Sequence, residues 1–299
     1  GSHAPAAHYA LRHGVSVFCE KPLAYTAAEA DELEQAAAHW DRPPLLLAYM
    51  KERDDAIARL RERLGAVEDV RAVEVRVLHP SGTSQLEFAH LRPAPTDLDA
   101  EVMAALGAEE GALLDAALGA GTPEWFRRLY ATVVLGSLVH DTSLLRNLFG
   151  GLVEVDDAWV WPDGVFPPSV QVVGSLAGGA RATLAWHYLE EYPAYEETLT
   201  VHHAHGSMQV TFGTPYLLNA PTRLEVVETG LRGDVRSTYR CTGSSFENEL
   251  VEFHRMVTTG APPLSGITEG RTDIVTSQRI MRRLADRNGI TVGGEVAQR

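Results

Sequence analysis

The sequence predicts an α/β protein in two parts: the remnant of a doubly wound parallel sheet, then an α+β domain on a large, mostly antiparallel open sheet. Three observations point there. Helix, strand, helix and strand alternate through the first fifty residues, with the spacing of parallel crossover units. From 153 to 241 a run of short alternating segments is joined by turns, some of them Gly-containing. Long helical patterns flank that run on both sides.

Residues 5–14 ("PAAHYALRHG") read as a short helix, and Gly14 suits the left-handed position that ends one. "VSVFCE" (15–20) is β-branched and aromatic, as a strand requires. Thr26 and Glu29 form a capping-box pair that opens the helix "TAAEADELEQAAAHW". "DRPP" breaks it, and "LLLAYM" (45–50) is the next strand. "DDAIARLRERLG" is a helix closed by Gly65, and "VRAVEVRVLHP" (70–80) a long strand. Residues 81–122, rich in Pro, Ala, Gly and acids, read as an insertion or lid with one helix around 98–118. A long helix over 123–151 ends at a glycine pair. The strands follow, with "AGGA" (177–180) and "AHGS" (204–207) as hairpin turns, and helices over 245–260 and 269–289 finish the chain. The predicted division is 1–52 and 53–299, with 269–288 as the C-terminal helix.

The chain is 45% hydrophobic and 22% charged, a soluble globular composition. A net charge of -14 leaves nothing to neutralise a phosphate backbone and argues against a nucleic-acid partner. The longest apolar runs are too short for a bilayer, and residues 1–14 lack a secretory layout. Two cysteines, Cys19 and Cys241, make no disulfide framework. A cytoplasmic protein with a small-molecule substrate is the expectation.

"EKPLA" after the first strand, "MKERDDA" after the second, and the helix carrying "GSLVHDTSLLRNLFGG" resemble the Gfo/Idh/MocA (glucose-fructose oxidoreductase / inositol dehydrogenase) family. His3, eleven residues before Gly14, is similar to the His that family members carry ahead of "AL..G". The resemblance runs from about 3 to 290 and is weakest over 81–122. It implies an N-terminal Rossmann domain holding NAD or NADP, a C-terminal domain holding a sugar or cyclitol, and a homodimer or homotetramer joined through the open sheet. It places Glu20, Lys21, Pro22 and His3 on the cofactor side.

Two departures stand out. A dinucleotide's pyrophosphate needs a Gly-rich turn between strand and helix, and the one candidate, "LGAGT" (118–122), follows a helix. The chain therefore reads as starting after the fourth strand of a Rossmann sheet, with roughly the first 70 to 110 residues of such a unit outside it. The strand at 15–20 would then present an edge that something must cover. On the long helix, the family pattern Asp-x-x-x-His becomes Gly136 and His140, and Asp141 is turned about 100° away.

Oxidising a secondary alcohol sends a hydride to the nicotinamide while a base removes the hydroxyl proton. Lys21 suits that oxygen, and His140, with an ordinary pKa of about 6.5, exchanges a proton at neutral pH. These two are the catalytic candidates, expected to converge on one polyhydroxylated guest. Glu20 ends a strand where open α/β sheets bind ligands, and Pro22 fixes the turn. Lys51, Arg53, Asp141, His187 and Tyr188, with Tyr192 nearby, are the substrate-side candidates. Each has a plain structural reading: a surface cap for Lys21, core packing for His140, a solvated helix start for Lys51 and Arg53, sheet packing for the aromatic residues. "HHAH" (202–205) is not read as a metal site, because neighbouring strand residues point to opposite faces. Cys19 is read as a buried strand residue. The function expected is an NAD(P)-dependent oxidoreductase acting on a CH–OH group of a sugar, cyclitol or similar metabolite. The alternatives are a non-redox descendant (lyase, cyclase or binding protein) and glycoside cleavage through transient oxidation.

Overall fold

The capping box at Thr26 forms as its sequence requires. Thr26 Oγ1 accepts from the Glu29 amide at 3.1 Å, and the Glu29 carboxylate accepts from the Thr26 amide at 3.0 Å. The computed structural model to which they belong describes residues 2–299 except 87–89, 91, 93, 94, 96, 216, 218, 219, 231 and 232. Part of the expected insertion at 81–122 lies outside those described residues.

The chain forms two units, each assembled from separate stretches. Gly1–Ala48, Leu86–Val139 and Arg255–Arg299 make the first, Tyr49–Gln85 and His140–His254 the second. The predicted boundary near 52 lies close to the change of unit after Ala48, and the long helix Ile267–Asn288 packs with the strand Leu45–Ala48 in the first unit. In the first unit α1 (Ala4–Arg12), β1 (Val17–Glu20), α2 (Ala27–Ala37) and β2 (Leu45–Ala48) follow in order. β1 pairs in parallel with β2 from Val17↔Leu45 to Glu20↔Ala48. β1 starts two residues later than its composition predicts, because the Val15 amide is still bonded to Ala10 of α1. Leu45, Leu46 and Leu47 are all buried, the continuous apolar run of a strand covered on both faces. α9 (Ile267–Asn288) packs on β2 and α2, and it comes close because position 270 is glycine. A Cβ there would stand 2.8 Å from the Cδ2 atoms of both Leu23 and Leu47.

The predicted helix near 98–118 is α5 (Ala100–Leu118), capped by Asp99 and buried only toward its end at Leu114, Ala117 and Leu118. The predicted helix over 123–151 is instead three segments: α6 (Glu124–Arg128), a wide i→i+5 helix over Leu129–Leu138, and α7 (Val139–Phe149). The wide segment changes the angular spacing around Gly136, so a face argument built on 3.6 residues per turn fails there.

The second unit is built on an eight-stranded sheet. A 3-10 turn (Met50–Arg53) and α3 (Asp55–Leu64) lead to β3 (Val70–His79), then α4 (Gly82–Leu86) follows. After α7 come β4 (Leu152–Trp161), β5 (Ser169–Leu176), β6 (Arg181–Tyr188), β7 (Glu196–His203), β8 (Gly206–Phe212), β9 (Thr222–Gly230) and β10 (Gly233–Cys241), then α8 (Ser245–Thr259). The order is β10-β9-β8-β7-β3-β6-β5-β4, antiparallel throughout except for β3 with β6. The hairpin read at "AGGA" forms, with Gly178 and Gly179 at φ of 86° and 89°, values open to glycine. On β3, Val73, Val75 and Val77 are buried and Glu74 and Arg76 exposed, so one sheet face is covered and the other open. The fold class read from the sequence is the one observed. Among the described residues no helix is long and apolar enough to cross a membrane.

Candidate active site

Glu20, Lys21 and Pro22 stand at the carboxyl end of β1, where parallel strands present ligand sites. Glu20 is exposed and Lys21 half-buried, its Nζ donating to the Gly136 carbonyl within the same unit. His3 Nδ1 lies 2.7 Å from the Pro22 carbonyl. A carbonyl only accepts, so Nδ1 carries the hydrogen and the ring fastens the start of α1 to this turn. Burial, then Glu20, pushes the Cys19 thiol up to about 12, which leaves it inert as a nucleophile.

Lys21 belongs to the first unit and His140 to the second. His140 opens the first turn of α7, is 9% exposed, and meets the Tyr49 ring edge-on at 6.3 Å between centroids. Asp141 beside it is 1% exposed. The Lys51 ammonium lies 2.6 Å from Glu197 Oε1 and 3.5 Å from Asp141 Oδ1, and the Tyr195 hydroxyl donates to the other Glu197 oxygen. Burial works against the charge on Lys51, but Glu197 and then Asp141 outweigh it and its pKa is raised. Burial pushes Asp141 up to about 7; Lys51 opposes this and Glu197 adds to it. Arg53 pairs with Glu252 and also donates to the Tyr49 carbonyl at 3.2 Å. Lys51 and Arg53 are thus not a solvated helix start. The 3-10 turn buries both against carboxylates.

His187 and Tyr188 are separated by the strand's alternation. Tyr188 stacks with Trp186 and His79 on the covered face, at 6.1 and 6.2 Å. His187 meets Trp161 at 5.7 Å on the other face, and burial together with Arg76 lowers its pKa. Only Tyr188 stays with the covered-face residues. In "HHAH", His202 lies 3.6 Å from Glu74, and among the described residues no three His, Cys, Asp or Glu side chains come together as a metal set.

Glu197 is the site residue that pattern reading missed. Its signal was present: Leu199 and Val201 share its phase in β7 and are buried, so a glutamate in that phase demands a cation. Lys51, Glu197, Asp54, Phe212 and Thr222 line a cavity of about 230 Å³ beside the start of α8.

The residues present fit one end of a dinucleotide. Glu20 and Lys21, at a parallel strand's carboxyl end, suit a nicotinamide. The glycines of "LGAGT" do not suit its pyrophosphate. Gly119 ends a helix and packs on the Gly293 backbone, where a Cβ would come within 2.6 Å of the Gly293 nitrogen.

Residues 1–43 match the model of the Gfo/Idh/MocA family, described as an oxidoreductase family with an NAD-binding Rossmann fold. That match spans the opening helices and first strand and includes His3 and "EKPLA". No curated protein matches the chain significantly. Among solved structures, UDP-N-acetylglucosamine 3-dehydrogenase GnnA from Acidithiobacillus ferrooxidans is 18% identical, with TM-score 0.65 over 95% of this chain and 75% of that one. KijD10, a 3-ketoreductase from Actinomadura kijaniata in complex with NADP and TDP-benzene, is 16% identical, with TM-score 0.63 over 96% of this chain and 75% of that one. At these identities the likeness is one of fold.

Proposed function

We propose that the protein is an NAD(P)-dependent oxidoreductase that moves a hydride to or from a secondary alcohol of a sugar, cyclitol or similar metabolite. The observation that carries the reading is the Glu20-Lys21-Pro22 turn at the end of a parallel strand, locked by His3, inside the segment matched by the family model. Bound nicotinamide supplies the hydride acceptor or donor. Lys21 hydrogen-bonds the reacting oxygen and moves its proton, and the Gly136 carbonyl orients the ammonium. His140 is assigned the second proton-carrying role. Glu20, Pro22 and His3 shape the cofactor side, with Tyr188 on the substrate side. Residence in the cytoplasm and a homodimer or homotetramer through the open sheet face complete the proposal.

Titration of the protein with NADH and NADPH, followed by nicotinamide fluorescence, tests occupancy. Saturable enhancement is expected with one of them. In a turnover assay, Lys21→Ala is expected to retain the circular dichroism of the wild type and lose about 10²-fold or more in kcat. Unchanged kcat removes Lys21 from the mechanism. The second reading, a non-redox descendant, is favoured by Gly136, which offers no side chain where the resemblance leads one to expect a carboxylate. Failure of both nucleotides to bind would favour it.

A further inference from the structure

We propose that Asp141 positions His140, and that Lys51 and Glu197 hold Asp141 through one shared proton, so that the first turn of α7 is fixed while Asp141 is neutral and loosens when that proton leaves. The inference rests on the reading of His140 as a site residue. It begins with a charge count. Two carboxylates and one ammonium lie together, each more than nine-tenths buried. Fully ionised, the three carry an uncompensated negative charge in a poorly solvated place, which is costly. One added proton cancels it.

The distances say where that proton sits. Lys51 is committed to Glu197 at 2.6 Å, and the second Glu197 oxygen accepts from Tyr195. Asp141 is the outlying member at 3.5 Å, and its buried Oδ1 makes no hydrogen bond among the described residues. Its pKa, pushed up to about 7 by burial first, agrees with that placement.

The link to His140 runs through one short segment. Tyr49 meets His140 edge-on, Lys51 meets Asp141, and Glu52 accepts from Arg146 at 2.7 Å, so the stretch from 49 to 52 grips α7 at three points along its length. Asp141 is the member of the buried Lys51–Glu197–Asp141 cluster whose charge changes near neutral pH. The other charged groups around the cluster are compensated: Arg53 by Glu252, Glu52 by Arg146. Asp54 across the cavity accepts from Thr222 at 2.6 Å, and His79 on β3, lowered by burial, feels both Lys51 and Glu197. Because Lys51 and Glu197 also line the 230 Å³ cavity, the proton has a route to solvent.

The test is the imidazole NMR signal of His140 between pH 5 and 9, assigned by its loss in His140→Gln. The wild-type signal is expected to show an inflection at about pH 7 beyond the ring's own titration. Asp141→Asn, nearly isosteric and unable to ionise, is expected to abolish it. Glu197→Gln frees Lys51 for Asp141 and is expected to move the inflection down by a pH unit or more, a tenfold change in proton affinity. Identical titrations in wild type and Asp141→Asn overturn the proposal, as does an inflection unmoved in Glu197→Gln. No nucleotide or substrate enters the measurement, so a failed redox assay and a failed positioning role are told apart.

Discussion

A guanidinium and a carboxylate removed from water together are tolerable; either one alone is not. Arg53 and Glu252 are 6% and 8% exposed and bonded to each other. Glu252→Ala removes the nearest carboxylate of Arg53, leaving it the Tyr49 carbonyl and Glu52 at 3.9 Å, and is expected to cost about 3–5 kcal/mol in urea unfolding. Glu252→Gln keeps an acceptor and should cost clearly less. Equal losses would mean that the charge is irrelevant. Asp141 adds a pH dependence whose sign is fixed by its raised pKa. Between the ordinary value of 3.8 and about 7, the folded state holds a proton that the unfolded state has released. Stability is therefore full below pH 4 and falls as pH rises toward 7, by at most about 1.4 kcal/mol per pH unit for this one group. Asp141→Asn should flatten that slope, read from urea midpoints at pH 5 and pH 8, and a slope unchanged in the variant refutes the assignment. At this scale the place of Glu20, Lys21 and Pro22 at the end of a strand was legible because a short local motif marks it. The inward turn of Lys51 and Arg53 was not, since their partners Glu197 and Glu252 lie 146 and 199 residues away and no local pattern encodes so distant a pairing.

Helix ends obey a more local logic, and α2 shows both its reach and its limit. The Thr26–Glu29 box could be read directly from the four residues that make it. The same end is capped a second time by Glu295, which accepts from the Ala27 and Ala28 amides at 2.7 and 3.0 Å and from Gln278. That carboxylate satisfies two donors the box leaves over and faces the positive end of the helix. Glu295→Ala should cost about 1–2 kcal/mol, at least as much as Thr26→Ala, measured by chemical denaturation. A loss within experimental scatter would show that water replaces Glu295 freely. Gly270 is a second element-scale case. Gly270→Val drives a branched side chain into Leu23 and Leu47 and should cost about 1–3 kcal/mol through overpacking. The wide helix over Leu129–Leu138 left no such trace, because its apolar residues satisfy several periodicities at once.

Across the whole molecule, strand alternation was the most informative signal, since burial on one face imposes a period of two on every strand of a large sheet. It recovered all of β4 through β10, though not that β3 inserts between β6 and β7, a pairing that depends on the packing of the complete sheet. The same alternation leaves a second face uncovered. Along β3 to β8 that face is polar, with Glu74, Arg76, Thr183, Thr200 and Gln209, and toward β4 it carries Trp161 beside His187. A polar field stays soluble when exposed, and Trp161 and Arg76 are residue types enriched where protein surfaces meet. If the face is shared between copies, Thr200, on one of the two central strands of the sheet, lies within the contact, where a new charge would have to be buried. Thr200→Arg should therefore split the assembly while leaving the circular dichroism intact. Light scattering is expected to give two or four chain masses for the wild type and one for the variant. A wild type of single-chain mass at micromolar concentration would show that this face meets solvent and nothing else.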